Sequence, residues 1–376
     1  MSSSRNVLVV GAGIAGLSVA RALARRGMSV EIIERRSRPA SGMGLFLPAN
    51  AVRALAELGL QDRVAHLGTP VRSQQLRDSR GATLAEIYLS ALWKDTGECV
   101  GITHDNLRAA LAGAARVPVR TGTTVQSLTE YDSGVHVDFT GGGSGDYDLV
   151  VGADGIRSQL RRTVSPGAEP RYAGQICRRF LTDNHHAIDR WTVWLGRGTT
   201  FLAVPVSKDR LYCCADLSAP SPQGGEASDV AAWSAERFAN RFAGFHPVVA
   251  HLLETPEAQD SYVSPIEEVS PRRWATAHTV LVGDAAHATS PNMAQGVAMA
   301  VEDALVLAEC LDRPGETRDL LEEYRRRRLP RTRWVQAQAR KRDRTRGMPP
   351  GVRNLLLRLG AERMYESAYA PLRDRP

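Results

Sequence analysis

Apolar positions along this 376-residue chain change texture three times. Asn6 to Val10 is an apolar, β-branched run. Leu17, Ala20, Leu23 and Ala24 then mark one helical face that stops at Gly27, and "SVEIIE" is extended again. This predicts strand, tight turn, helix, strand. A second strand-turn-helix is predicted in "YDLVVGADGIRSQLRR" (147–162) and a third across 279–311. Between these two, "WTVWLG", "TTFLAVPV" and "RLYCCADL" read as short strands. A helix follows on Val230, Trp233, Phe238 and Phe242, then an extended "DSYVSPIEEV". Glycine-rich "FTGGGSGDY" lacks a following helix and is predicted as a hairpin turn. The pattern is α/β: a Rossmann-like domain, discontinuous over 1–70, 98–174 and 275–316, interrupted by a mainly β domain over 71–97 and 175–274. Residues 317–376 form a C-terminal helical segment. Its last part, past Gly347-Met348-Pro349-Pro350, is expected to be a loosely packed helical tail.

Composition adds limits. The length exceeds one ordinary core, and 43% hydrophobic with 24% charged residues is a globular composition. Net charge is +7, yet Thr317 to Arg346 alone holds 12 Lys/Arg against 4 Asp/Glu. "YRRRRLPRTRW" could serve nucleic acid or an acidic membrane surface, but no nucleic-acid motif accompanies it. It reads instead as a solvated helix with Glu322–Arg326 and Glu323–Arg327 pairs. Five cysteines without C-x-x-C imply reduced thiols and a cytoplasmic location. No apolar run reaches the ~18 residues of a membrane span, and the nine histidines lack metal-ligand spacing.

The turns carry the chemistry. In "GAGIAG", Gly11 allows the turn, Gly13 admits a pyrophosphate to the backbone and Gly16 lets helix and strand pack closely. Ala15 lies within this turn. The helix N-terminus adds free N–H groups and partial positive charge. Glu34, followed by Arg35, ends the second strand where a carboxylate accepts bonds from an adenosine ribose and repels a 2′-phosphate, favouring FAD or NAD over NADP. Far downstream, "LVGDAAHATSPNMAQG" decides between these two. Asp284 can accept bonds from a ribityl chain, Ala285 and Ala286 leave room, and Pro291 stiffens the loop. The helix starting at Gly296 and Val297 can support negative charge on a flavin. Asp284 as a simple helix cap explains only part of this arrangement.

The ordered set "GAGIAG", "GADGIRS" and "GDAAHATSPNMAQG…EDA", with "LFLPANAVRALAELGL", resembles the class A FAD-dependent monooxygenases of the para-hydroxybenzoate hydroxylase type, especially small members such as urate and salicylate hydroxylases. The resemblance spans most of residues 5 to 340. It implies a Rossmann-like FAD-binding domain with an inserted β substrate domain. NADH or NADPH would reduce the flavin, and O2 would form a C4a-hydroperoxyflavin that hydroxylates a small aromatic or heteroaromatic substrate. By the same resemblance Gly11, Gly13, Gly16 and Glu34 hold the ADP half, Asp284 the ribityl chain, and Pro291, Gly296 and Val297 line the isoalloxazine. Asp154 and Gly155 match the motif linked to FAD and pyridine nucleotide, with Arg157 and Arg161 available to nicotinamide phosphates. His104 stands where the family often has an arginine near the phosphates, so either His104 substitutes or Arg108, one turn on, takes over. Urate hydroxylases align an arginine near Thr200, which disfavours urate.

On the substrate side, alternation in "RLYCCAD" puts Tyr212, Cys214 and Asp216 on one strand face. That face either lines the pocket, with Tyr212 binding or deprotonating a phenol, or meets solvent. Trp191, Trp194 and Phe201 provide aromatic walls or core packing. A reductase or oxidase on the same fold, or a non-catalytic flavin or nucleic-acid binder, are the other functional classes compatible with the motifs.

Overall fold

In a computed structural model, which describes residues 5–37, 43–219, 234–261 and 263–376, four sheets organise the chain. Strand Asn6–Val10 lies at the centre of a five-stranded parallel sheet ordered Thr279–Leu281, Leu149–Gly152, Asn6–Val10, Ser29–Glu34, Val119–Thr121. Its central strands are continuous apolar runs because both faces are covered. Helix Ile14–Ala24 packs against helices Gly296–Leu311 and His104–Ala115. The first of these contacts joins the start of the chain to residues nearly three hundred positions later.

The second large sheet has seven strands, ordered Val263–Glu268, Arg171–Asp183, Arg210–Ser218, Thr199–Pro205, Trp191–Leu195, Ser73–Asp78, Thr83–Tyr88. Neighbours run antiparallel except Trp191–Leu195 beside Ser73–Asp78. One face carries Phe180, Trp194 and Phe201 into a core with Phe238 and Phe242. Residues of opposite parity, Arg179, Tyr212, Cys214 and Asp216 among them, face the other way. Of the helix expected around Val230, Trp233, Phe238 and Phe242, only Ala235–Asn240 and the buried Phe242 belong to the described residues; Val230, Trp233 and Tyr262 lie outside them. Gly141–Gly143, all at positive φ, turn the chain between strands Gly134–Phe139 and Ser144–Tyr147.

Two expectations fail at the C-terminus. Helix Thr317–Thr345 is no solvated rod: Arg328 is fully buried and Arg331 nearly so, both on Glu302. Its surface pairs are Glu322–Arg325 and Glu323–Arg326, three residues apart, while Arg327 reaches Glu309 on another helix. The run is basic because it neutralises acids on a neighbouring helix. Nor is the end of the chain loose. Helix Pro350–Tyr369 buries Arg353, Ala361, Ala368 and Tyr369, and Arg353 donates to the carbonyls of Leu195 and Gly196 on the seven-stranded sheet. No helix among the described residues is long and apolar enough to cross a membrane.

Candidate active site

A cavity of about 910 Å³ runs from the glycine turn of the parallel sheet to the inner face of the seven-stranded sheet. At its first end, Gly11 (φ +109°) and Gly16 are locked together: a Cβ on Gly16 would stand 1.9 Å from the Gly11 carbonyl oxygen. Nothing lies within 4 Å of where a Gly13 Cβ would be, so the backbone at the helix N-terminus is open from above. No acid occupies the first turn of helix Ile14–Ala24, leaving its N–H groups and dipole available to an anion. Glu34 receives the amides of Ala12 (2.9 Å) and Arg36 (2.8 Å), one on each carboxylate oxygen, which fixes the acid beside the turn. Each oxygen retains a free lone pair. Arg35 is exposed, with no side-chain partner among the described residues.

The third turn meets the first at one point. Gly283 (φ +58°) packs so tightly that a Cβ there would be 2.8 Å from the Ala15 side chain. Asp284 follows on a single helical turn, Asp284–His287. Its side chain is exposed to the cavity, and partial desolvation there raises its pKa against the pull of His287 and Arg179. Ala285 and Ala286 do not leave room for a ligand as expected; they are buried in the core, where small side chains let the turn sit close to its neighbours. Beneath the turn Asp303 accepts from the Gly283 amide (2.8 Å), His287 Nε2 (2.6 Å) and Arg328 Nε (2.8 Å). Farther along, Pro291–Met293 is a 3-10 turn closed by Ala294 at φ +50°. Asp343 holds it through Ser290 (3.0 Å) and Asn292, and Arg342 donates to the Asn292 carbonyl (2.6 Å). Pro291, Gly296 and Val297 all line the cavity, and helix Gly296–Leu311 begins there.

Between these turns lies "GADG". Gly155 lines the cavity, but Asp154 turns away: its Oδ2 accepts from the amides of Gln159 (2.7 Å) and Leu160 (3.2 Å), while Oδ1 is buried without a partner. Arg157 lines the cavity and is exposed, in a bidentate pair with Glu267 (2.8 Å). Arg161 is not available to a nicotinamide phosphate. It is buried and spends its guanidinium on the carbonyls of Ile156, Ala168 and Ala285. His104, first residue of helix His104–Ala115, lines the cavity; Thr103 caps this helix through the Asn106 amide. Burial lowers the His104 pKa and leaves its Nδ1 unpartnered, as is the buried Nε of Arg108.

The ceiling is the seven-stranded sheet. Tyr212, Cys214 and Asp216 face the cavity, so the alternation is real and the solvent reading fails. Burial, then nearby Cys214, push the Tyr212 pKa well above its usual value, which keeps the hydroxyl protonated at neutral pH. It can donate to a substrate; it is a poor base. Trp191 is a cavity wall, packed on Phe46 with ring centroids 4.4 Å apart, whereas Trp194 and Phe201 belong to the core on the sheet's other side. Sequence reasoning missed Arg179, next to Cys214 in register, and the C-terminal Arg342, Arg346 and Arg353, all of which line the cavity. Alternation in "QICRRFLTD" does hold a signal for Arg179: of two adjacent arginines on one strand, one must point inward on each face.

An open glycine turn, the unpartnered His104 Nδ1 in the same cavity and a carboxylate farther along suit an extended dinucleotide, whereas Arg108 is not among the residues that line the cavity. Comparison with known proteins agrees. The family model described as FAD binding domain matches residues 4–339. 3-Amino-4-hydroxybenzoate 2-monooxygenase of Streptomyces cremeus is 34% identical over 348 residues, covering 89% of this chain and 86% of its own. FAD-dependent urate hydroxylase of Klebsiella pneumoniae is 34% identical over 347 residues, covering 89% and 88%. A variant of K. pneumoniae HpxO solved with FAD superposes with a TM-score of 0.88 at 28% identity, over 98% of both chains. The chain therefore belongs to the FAD binding domain family and is a class A FAD-dependent monooxygenase of the para-hydroxybenzoate hydroxylase fold.

Proposed function

We propose that the protein hydroxylates a small aromatic or heteroaromatic compound, consuming NADH or NADPH and O2. The carrying observation is one continuous cavity that passes from Gly13 and Ala15 beside Asp284, Pro291, Gly296 and Val297 to Tyr212. Gly11, Gly13, Ala15 and Gly16 hold the FAD pyrophosphate at the helix N-terminus, Glu34 and Arg35 border the adenosine, and Arg108 with His104 flanks the phosphates. Asp284 accepts from the ribityl hydroxyls, and Pro291, Gly296 and Val297 border the isoalloxazine. Gly155 faces the same cavity, and Asp154 sets the loop that carries it. Held by these residues, FAD would supply the redox chemistry by which two electrons from the nicotinamide and O2 yield one oxygen atom in the product and one water. Tyr212 orients the substrate as a hydrogen-bond donor, and the apolar walls exclude water, which keeps reduced oxygen from escaping as peroxide.

On this reading, 1–70, 98–174 and 275–316 form the FAD half, 71–97 and 175–274 the substrate half, and 317–376 the brace between them. Five free, buried cysteines suit the reducing cytoplasm, where nicotinamide is also supplied. Turnover under 18O2 tests the reaction: label in the product is expected, and unlabelled product would assign the fold to a reductase or oxidase instead.

A further inference from the structure

Five arginines line the cavity, and four have carboxylate or carbonyl partners. Arg157 pairs with Glu267, and Arg346 pairs with Asp216 and donates to Gln175. Arg353 donates to the Leu195 and Gly196 carbonyls, and Arg342 to Asn292 and the Tyr369 hydroxyl while lying over the Tyr365 ring. Arg179 differs. Among the described residues no carboxylate lies within ion-pairing distance of it, and no carbonyl accepts from it; its side-chain partner is the Cys214 thiol, with Cys177, Tyr212 and, farther off, Asp284 around it. A guanidinium held by a thiol alone, in a mostly apolar cavity, is costly unless a ligand supplies a full anion.

Around it the walls are apolar: Leu76, Trp191, Val193, Leu202, Leu357 and Tyr365. Away from the parallel sheet they run out to Leu356 and Met364 on the C-terminal helix. These line the cavity and are 48% and 46% exposed, so the cavity opens to solvent between apolar lips. A polar metabolite gains nothing from such an entrance; an apolar substituent does.

We infer that the substrate is an amphiphilic aromatic anion, its carboxylate or phenolate paired with Arg179 and an apolar substituent extending toward Leu356 and Met364. This rests on the proposed hydroxylase reading and narrows its substrate class. Arg179 acts as a specificity residue through its charge, on the ring edge opposite the substituent. The fixed fork of a guanidinium suits a planar oxyanion.

The test uses three probes at neutral pH: 2-hydroxybenzoate, 4-hexyl-2-hydroxybenzoate and 4-hexyl-2-hydroxybenzamide. Quenching of tryptophan fluorescence, with Trp191 in the cavity wall, reports binding whether or not flavin is loaded, and a separate FAD titration tests the functional reading itself. The hexyl anion is expected to bind at least about tenfold tighter than either other probe. Arg179→Met should abolish the preference for anion over amide and keep the hexyl effect; Leu356→Glu should do the reverse. The inference is overturned if wild-type protein binds the amide as tightly as the anion, gains nothing from the hexyl chain or binds none of the three. It is equally overturned if Arg179→Met loses FAD while its anion preference persists.

Discussion

Arg328 and Asp303 form an ion pair in which both side chains are fully buried, Nε to Oδ1 at 2.8 Å. The other oxygen of Asp303 grips Gly283 and His287, on either side of Asp284. Burial alone would raise the Asp303 pKa; His287 and Arg328 outweigh it and hold the carboxyl below its usual range. Position of the Gly283–Asp284 turn therefore depends on a residue in the basic run. Arg328→Met should destabilise the protein by about 3–5 kcal/mol, because Asp303 and Glu302 lose a cation they cannot replace with water. Thermal unfolding checks this, and FAD affinity should fall in any folded fraction. A loss below 1 kcal/mol would contradict the role.

Asp284 sets stability against binding. Its folded pKa lies above the ordinary 3.8, since desolvation in the cavity disfavours its charged form. A raised carboxylate pKa means the folded state binds the proton more tightly, so ionisation destabilises the apo-protein as pH rises past the ordinary value. Asp284→Asn should thus raise the apo-protein's Tm at pH 7, and the gain should vanish as pH falls below 3.8. The same variant, and Asp284→Ala more so, should lose FAD while remaining folded. Unchanged FAD affinity in both would remove Asp284 from the cofactor site.

His104 and Arg108 answer to charge. With its pKa lowered by burial, His104 is neutral at pH 7 and brings no charge to a phosphate. Arg108 offers a guanidinium fork whose geometry suits a phosphate. Arg108→Ala is expected to weaken FAD binding by about tenfold or more, the scale of a charge-assisted bond, and His104→Gln by much less. Fluorescence titration of apo-protein with FAD compares them; the opposite ranking would make His104 the phosphate contact.

Ala294 occupies a left-handed conformation that costs an L-residue about 1–2 kcal/mol. Glycine removes that strain but adds unfolded-state entropy of about 0.5–1 kcal/mol, so Ala294→Gly should shift stability by roughly 1 kcal/mol or less. Ala294→Val, β-branched at the same φ, should lower Tm clearly. Denaturant melts of the two variants make the comparison, and a tolerated valine would show that the turn relaxes.

Local signals were legible and long-range partners were not. Gly11, Gly13 and Gly16 are readable because their conformations are demanded by neighbours a few residues away, and the Tyr212–Cys214–Asp216 face follows from the period of a strand. Asp284 is readable because it ends an apolar run and precedes a helix. Arg328 escapes this logic. Its acids lie 25 and 26 positions earlier on another helix, so spacing within its own helix suggests surface pairs instead. Arg353 escapes for the same reason: its carbonyl partners lie on strand Trp191–Leu195 and just beyond it. Small residues can also mislead. Ala285 and Ala286 read as space for a ligand and turn out to be close packing, which sequence alone does not distinguish.

The join between Ala15 and Gly283, secured from below by Asp303 and Arg328, has a bearing on how the protein is made. As the polypeptide leaves the ribosome, its glycine-rich bend emerges well ahead of the floor beneath the matching bend, which follows Gly16 by 287 residues at Asp303 and 312 at Arg328. Cofactor capture is consequently a late event in biosynthesis, and a nascent chain halted before Arg328 has half a clasp with nothing to close it.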